Sequence, residues 1–322
     1  MHAVRKLLLF SAAAVVPLAF ATKWHAAARD DAITIATWNL EWLVSPATIH
    51  AGRLACRSGQ RANLPCDVVR ELARDSADVA RLAQYARALN ADIVAFQEVE
   101  NEAIARKVFH GYRICMADGG GVQHVGFAVR PALSHRCGPA EDSLSLDGRS
   151  RKAMFLQVMP RRGAPIELLV VHLKSGCSRE PLESDTAACR ILEQQSVQLG
   201  SWIAAKSAEH ANFIVLGDFN RVPPQSGDDT FWRQVQTGPL ELLAERLPFS
   251  NCFAGQPYSA FIDHMLLSNT LAESLVPKRS KHVGFRSADA VRYLLSDHCP
   301  VSITLSLSGN RRAAAELSSL AY

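Results

Sequence analysis

The sequence predicts a layered α/β (α+β) domain in which two β-sheets pack face to face. Three observations predict it. Short β-rich runs that end in polar residues outnumber the helical stretches. The two long helical stretches lie far apart in sequence. No linker, repeat or low-complexity segment divides the 322 residues. Hydrophobic residues make up 48% of the chain, enough for a large core without a structural metal or a partner. Charged residues make up 20% and form no block, which excludes long disorder.

The elements follow in order. Ile33–Leu40 is the first strand. His50–Cys66 reads as a surface insertion, most simply a solvated loop; the alternative is that its Arg53, Arg57 and Arg61 touch a phosphate backbone. Asp67–Asn90 reads as one long helix, with Val68, Leu72, Val79, Leu82 and Ala86 near helical spacing. Asp92–Val99 is a second strand. Tyr112–Ala117 and His124–Arg130 form a hairpin across Gly119-Gly120-Gly121. Lys152–Met159 and Ile166–Lys174 form a further pair joined through Arg161-Arg162-Gly163, and Asp185–His210 is the second long helix. Phe213–Phe219, Ala260–Ser268 and Cys299–Ser308 complete the strands. The domain is expected over residues 30–308, with a loosely held tail over 309–322.

Residues 1–21 read as an export signal. Arg5 and Lys6 precede an apolar run from Leu7 to about Ala21, broken by Pro17 and closed by Ala19-Phe20-Ala21, a small-x-small cleavage pattern. The run is shorter than the ~20 residues of a spanning helix; the alternative is an uncleaved anchor. No later stretch is long and apolar enough to span a bilayer, so no stable membrane insertion is expected. The destination is periplasmic or extracellular. The formal charge of +4 is too small to argue nucleic-acid binding by itself.

Eight cysteines follow the signal: Cys56, Cys66, Cys115, Cys137, Cys177, Cys189, Cys252 and Cys299. An even number in an oxidising compartment predicts disulfides, and the lack of a CxxC pair argues against structural zinc. Pairing of close neighbours favours Cys56–Cys66 and Cys177–Cys189, each contributing ~2–4 kcal/mol. Cys299 has a second reading as a buried free thiol beside His298, which would leave three disulfides.

The chemistry lies where the strands end. Thr37-Trp38-Asn39-Leu40-Glu41, Phe96-Gln97-Glu98, Val171-His172-Leu173-Lys174, Leu216-Gly217-Asp218-Phe219-Asn220, Phe261-Ile262-Asp263-His264 and Ser296-Asp297-His298-Cys299-Pro300 all place polar groups at strand ends. One such ending is turn chemistry; the whole set predicts one mouth. Glu98, Asp218 and Asp297 are hard oxygen donors suited to Mg²⁺ or Mn²⁺. Asn39 and Asn220 add amides, His172 and His298 add donors that titrate near neutrality, and Asp263 can orient a histidine. A divalent metal, an activated water and several donors around a phosphoryl group make a phosphoester hydrolysis site.

The strings TWNLEW, AFQEVEN, VVHLKSG, VLGDFNR, IDHMLLS and SDHCPV occur in an order that resembles the endonuclease/exonuclease/phosphatase family, which includes deoxyribonuclease I-like enzymes. The resemblance runs from about Ile33 to Leu307. It implies a four-layered α/β/β/α sandwich with two central mixed β-sheets and the site at one end of them. It also implies roles. Asn39, Glu98 and Asp297 would hold the metal, with Glu98 the main ligand. His172 would contact the scissile phosphate. Asp218 would align or deprotonate the attacking water, and Asn220 would stabilise the transition state. His298 would act paired with Asp263. Beside these, Glu41 is expected on the same strand side as Asn39, Lys174 to brace its loop, Arg149 and Arg151 to be solvated, with an arginine near phosphate as the alternative, and His264 to point away from Asp263.

The catalytic set does not name the substrate. FIDHMLL lacks the WCDR-type string of inositol-polyphosphate 5-phosphatases, and no aromatic cluster for lipid is apparent, aromatics being 7% of the chain. HLKSG, GDFNR and the DHxLxS pattern with cysteines resemble secreted bacterial nucleases. The expectation is an exported Mg²⁺-dependent phosphodiesterase that cleaves nucleic acid. The alternatives are a lipid or small-molecule phosphoesterase of the sphingomyelinase kind, or an inactive exported binding protein of the same fold.

Overall fold

The computed structural model describes residues 32–60, 63–117, 119, 121–146, 151–223, 229–238, 240–243, 249–253, 256 and 259–307. The signal over 1–21, the tail over 309–322, Arg61 and Arg149 lie outside the described residues. The chain first lays down β1 (Ala32–Leu43), β2 (Ile93–Val99), β3 (Arg113–Met116) and β4 (His124–Val129). It then builds β5 (Ser134–Glu141), β6 (Ala153–Met159), β7 (Ile166–His172), β8 (Asn212–Asp218), β9 (Leu240–Leu242) and β10 (Asp263–Ser268) into a second sheet. β11 (Lys281–His282) and β12 (Val301–Ser306) return to the first sheet. The orders are β11-β12-β1-β2-β4-β3 and β5-β6-β7-β8-β10-β9. Both sheets are mixed: β1 and β2 run parallel, as do β7 and β8, and the other pairs are antiparallel.

Three cores separate four layers. Ile33, Ile35, Ile93, Ala95, Ile166, Leu168, Val170, Ile214, Leu216, Met265 and Leu267 fill the space between the sheets. On the other face of β1 and β2, Trp38, Leu40, Val94 and Phe96 meet Leu82 and Ala86 of a helix and Ile104, Ala105 and Val108 of another. On the other face of β7 and β8, Leu169, Val171, Phe213 and Val215 meet Leu192, Leu199 and Ile203 of the long second helix. The alternation of period two along each strand thus divides its side chains between the central core and a helical layer.

The helices differ from expectation in two places. The stretch Asp67–Asn90 is two helices. The insertion before it holds α1 (Pro46–Ser58), followed by α2 (Cys66–Glu71) and α3 (Ser76–Leu89). The break is built by Asp75, which accepts from the amides of Ala77 and Asp78 while Asp78 accepts from the Asp75 amide, a reciprocal cap that starts a helix. The helical spacing of apolar residues across the break hides this cap. Likewise His50–Cys66 is mostly helix, begun by Ser45 as N-cap with Pro46 in the first turn and ended by left-handed Gly59. Further on come α4 (Glu102–Val108), α5 (Ala187–Ala208), α6 (Thr230–Val235), α7 (Asn269–Ala272) and α8 (Ser287–Arg292). α5 is the second long helix. β5 is an edge strand with half its positions exposed, none fully buried and no apolar alternation, so the sequence carries no sign of it. Among the described residues no helix is long and apolar enough to cross a membrane.

All eight cysteines are paired: Cys56–Cys66, Cys115–Cys137, Cys177–Cys189 and Cys252–Cys299. The two neighbour pairings match expectation. The free-thiol reading of Cys299 does not hold, because the segment around Cys252 packs against the turn that carries His298.

His264 does face away from the site, and it gives the fold a pH dependence. Its ring lies edge-on to Phe219 and Trp232, with Nε2 2.7 Å from the Arg221 carbonyl. Burial pushes it down from 6.5 to about 4, although the Arg221 carbonyl and Asp263 both oppose that shift. Above pH 6.5 the group is neutral whether folded or not. As pH falls from 6.5 to 4 only the unfolded chain takes up the proton, so stability is lost across that window, by at most about 3 kcal/mol. Denaturant midpoints of wild type should therefore fall more steeply between pH 7 and 4 than those of His264→Gln. Parallel slopes would contradict this.

Candidate active site

Every candidate residue sits at one end of the two sheets, and the topology explains why. β1, β2, β7 and β8 end at that edge because each parallel pair runs toward it. β10 is antiparallel to β8 and begins there, with Asp263 directly opposite Asp218. β12 is antiparallel to β1, so the turn before it, with Asp297 and His298, falls at the same edge. The period-two pattern then selects the side chains. Ile33, Ile35 and Thr37 lead to Asn39; Ile166, Leu168 and Val170 lead to His172; Ile214 and Leu216 lead to Asp218; Leu267 and Met265 lead back to Asp263. Each row is apolar between the sheets and turns polar toward the mouth, at its last member or, in β1, already at Thr37.

Glu98 breaks this rule. By alternation with Gln97 it should point into the helical layer. Instead its backbone is left-handed at φ 61°, and the pairing of β2 with β4 shifts between Phe96 and Val99. The irregularity swings the carboxylate into the mouth. Asn220 at φ 51°, Glu41 at φ 45° and Trp42 at φ 49° are also left-handed. Such backbone costs about 1–3 kcal/mol per residue and persists where surrounding contacts hold it. Here they do: Glu98 Oε2 accepts from the Trp42 amide at 3.0 Å and from Gln123 Nε2 at 2.5 Å. Gly217 has its own reason. A Cβ there would lie 2.0 Å from the Val171 carbonyl oxygen, so only glycine lets β7 and β8 close beside Asp218.

One oxygen is the focus. Asp218 Oδ2 lies 3.0 Å from Asn39 Nδ2, 3.1 Å from Asn220 Nδ2, 3.4 Å from His172 Nε2 and 3.9 Å from His298 Nε2. Asp218 Oδ1 accepts from the Asn220 amide at 2.8 Å. Asn39 Nδ2 also reaches Glu98 Oε1 at 3.2 Å, and His172 Nε2 lies 3.5 Å from the same oxygen. His298 Nδ1 donates to Asp263 Oδ2 at 2.6 Å, and its Nε2 is 3.7 Å from Asp297 Oδ1. All eight candidates therefore share one mouth. Asp297 is the outermost, joined to the rest through His298 and through Glu41, whose Oε2 accepts from the Asp297 amide at 2.9 Å.

The electrostatics follow from burial and from crowding of carboxylates. Burial pushes Asp218 up to about 7, with the Asp263 and Glu98 charges adding to it and His298 opposing. Burial likewise pushes Glu41 to about 7, with Asp297 adding and Arg74 opposing. Burial alone would depress His298, but Asp263, Asp218 and Asp297 together hold it well above its ordinary value. His172 has the Asp218 and Glu98 oxygens near Nε2 but no carboxylate paired with its Nδ1 among the described residues. Burial, with help from Arg151, His298 and Lys174, keeps it well below its ordinary value and so neutral. One histidine is charged and the other is not.

The donor set fits a divalent cation. Buried carboxylates that resist ionising together are relieved by a hard dication, and the oxygen-rich set suits Mg²⁺ or Mn²⁺. Glu98, His172 and Asp218 bring ligand atoms within 4.8 Å of one another. His172 Nδ1 and Asp263 Oδ1 are buried without a hydrogen-bond partner among the described residues.

Three supports escape a reading of the sequence. Gln123 holds Glu98 and at the same time accepts from Arg151 Nη2 at 2.7 Å. Arg151 is thus half-buried at the mouth and not the solvated side chain expected; the strand-end pattern carries no signal for a turn glutamine that recruits it. Arg74 is buried and donates to Glu41 Oε2 and to the carbonyls of Glu41, Leu294 and Leu295, behind Glu41 and Asp297. Glu41 reaches the site as expected, although its left-handed backbone voids the same-face argument. Lys174 Nζ donates to the Ser175 carbonyl, within its loop.

A sequence profile of the Endonuclease/Exonuclease/phosphatase family matches residues 36–298. The chain belongs to the endonuclease/exonuclease/phosphatase family. Members of this family are metal-dependent phosphoesterases and nucleases, which makes the chain a hydrolase by descent. Solved structures share the endonuclease/exonuclease/phosphatase fold. A humanized D. rerio TDP2 superposes with a TM-score of 0.56 at 18% identity, covering 86% of this chain and 99% of that one. D. rerio TDP2 complexed with single strand DNA product gives 0.54 at 20% identity, covering 85% and 98%. A variant of the 3′ phosphatase NExo from Neisseria, bound to product DNA hairpin, gives 0.53 at 16% identity, covering 85% and 99%. No curated protein sequence matches the chain.

Proposed function

We propose that the chain is an exported Mg²⁺- or Mn²⁺-dependent phosphodiesterase that hydrolyses nucleic acid. The observation that carries the chemistry is the convergence of two amides and two differently charged imidazoles on Asp218 Oδ2. Export to the periplasm or beyond rests on residues 1–21 and on the four disulfides. Nucleic acid as the substrate is supported by the DNA bound to TDP2 and to NExo, which share the fold.

Asp218, raised to about 7, takes the proton of the attacking water. The Asn39 and Asn220 amides keep its carboxylate oriented. The new P–O bond forms as the bond to the departing sugar oxygen breaks, and solvent supplies that oxygen's proton. His298, held charged by Asp263, and Asn220 offset the negative charge that builds on the phosphoryl oxygens. Neutral His172 donates a hydrogen bond to the same group. Glu98, Asp297 and Asn39 would hold the divalent ion, whose contribution when bound is electron withdrawal from the phosphate.

The test is hydrolysis by one purified sample of the mature chain. Single-stranded and plasmid DNA, RNA, and vesicles of sphingomyelin or phosphoinositide are each presented with Mg²⁺ and with EDTA. Cleavage of nucleic acid that EDTA abolishes is expected. Turnover of the vesicles alone would replace the reading with a lipid phosphoesterase, and turnover of nothing would leave a binding protein.

A further inference from the structure

A second recess adjoins the catalytic mouth and shares Glu41 and Asp297 with it. Its walls are Leu72, Phe253, Ala290, Tyr293 and Leu294. Its volume is about 170 Å³. That exceeds a single water but falls short of the ~300 Å³ at which pockets begin to enclose a whole small ligand, so the recess suits one part of a larger substrate. The walls are pre-built. The Leu294 amide donates to Asp78 Oδ1 at 2.9 Å, and its carbonyl accepts from Arg74 Nε at 2.9 Å. Leu294 is nevertheless 40% exposed, and neighbouring Val291 is 90% exposed. The Tyr293 ring is flanked by the Arg81 guanidinium at 4.8 Å and that of Arg292 at 5.4 Å. A clamped backbone that holds apolar side chains toward solvent is a surface built for contact.

We propose that this recess receives an unpaired nucleobase of the nucleotide next to the scissile phosphate, so that the preferred substrate is single-stranded. The proposal rests on the nuclease reading above. Apolar and aromatic walls match the face of a base, whereas the two carboxylates repel a phosphate and accept from a base's amino group. Continuity through Asp297 places the occupant beside the reacting phosphoryl group. A base inside a duplex is stacked and paired, and must leave the helix to enter.

The experiment compares cut positions in a single-stranded oligonucleotide and in the same strand carrying one internal abasic residue. Two enzymes are used, wild type and Ala290→Phe, which fills the recess without removing a catalytic group. Wild type should cut the phosphate on one side of the abasic residue on the order of ten-fold more slowly than its counterpart, the scale of one base–aromatic stack. Ala290→Phe should lose a similar factor on the normal strand and nothing further at the abasic position. If Ala290→Phe does not fold, Leu294→Asp on the exposed rim should give the same pattern. Equal cutting beside the abasic residue by wild type, or an equal loss on both strands in a folded variant, overturns the recess and leaves the nuclease reading standing. Cleavage of neither strand by wild type overturns the nuclease reading itself.

Discussion

Asp263→Asn and His298→Ala should each lower kcat/KM by at least ~10²-fold, and the double variant should be little worse than His298→Ala alone. The expectation comes from the 2.6 Å contact between His298 Nδ1 and Asp263 Oδ2 inside a buried cluster. A buried imidazole with no carboxylate paired at Nδ1 loses its proton to desolvation, as His172 does. Asp263 contributes most among the carboxylates that keep His298 charged, and its contact with Nδ1 leaves Nε2 facing Asp218. Removing the carboxylate therefore removes the charge and fixed tautomer that make the imidazole useful. Once the imidazole is gone, Asp263 has nothing left to orient. A double-mutant cycle on a phosphodiester substrate measures this. Additive losses would show independent action and return Asp263 to a residue that merely orders the start of β10.

Much of this site is legible in the sequence. The rows Ile33-Ile35-Thr37-Asn39 and Ile166-Leu168-Val170-His172 are visible as alternation that ends in a polar group, which is why a shared mouth can be read before any coordinates. The parallel and antiparallel strand directions that bring those ends together are not local information. They come only through resemblance to the family. Glu98 is named by its motif, yet its placement depends on a left-handed backbone and a register shift, which alternation predicts wrongly. The split of Asp67–Asn90 is hidden because apolar spacing continues across it, although Asp75 and Asp78 carry a capping signature at the break. Gln123, Arg74 and the buried role of Arg151 are out of reach. Each acts through contacts 25 or more residues distant, with Glu98, with the Leu294 carbonyl and with Gln123, that no local pattern encodes. The disulfides divide similarly. Short loops point to Cys56–Cys66 and Cys177–Cys189, while Cys252–Cys299 spans 47 residues and depends on the tertiary fold.

The second large effect is expected at Glu98, the carboxylate that the fold strains its backbone to deliver. Replacing it with Gln keeps the size and one of the two accepting oxygens, enough for either the Asn39 or the Trp42 hydrogen bond, but removes the charge that would face the cation. Turnover at fixed Mg²⁺ should fall by at least ~10²-fold, and the Mg²⁺ concentration for half-maximal activity should rise. The measurement that tests metal-dependent phosphodiester hydrolysis at this cluster most directly is a Mg²⁺ titration of nucleic-acid cleavage by wild type and Glu98→Gln side by side. The account predicts wild-type activity that is absent in EDTA, restored by Mg²⁺, and reached by Glu98→Gln only weakly and at higher metal. Equal activity of the two proteins across the titration, or wild-type cleavage that persists in EDTA, would contradict it.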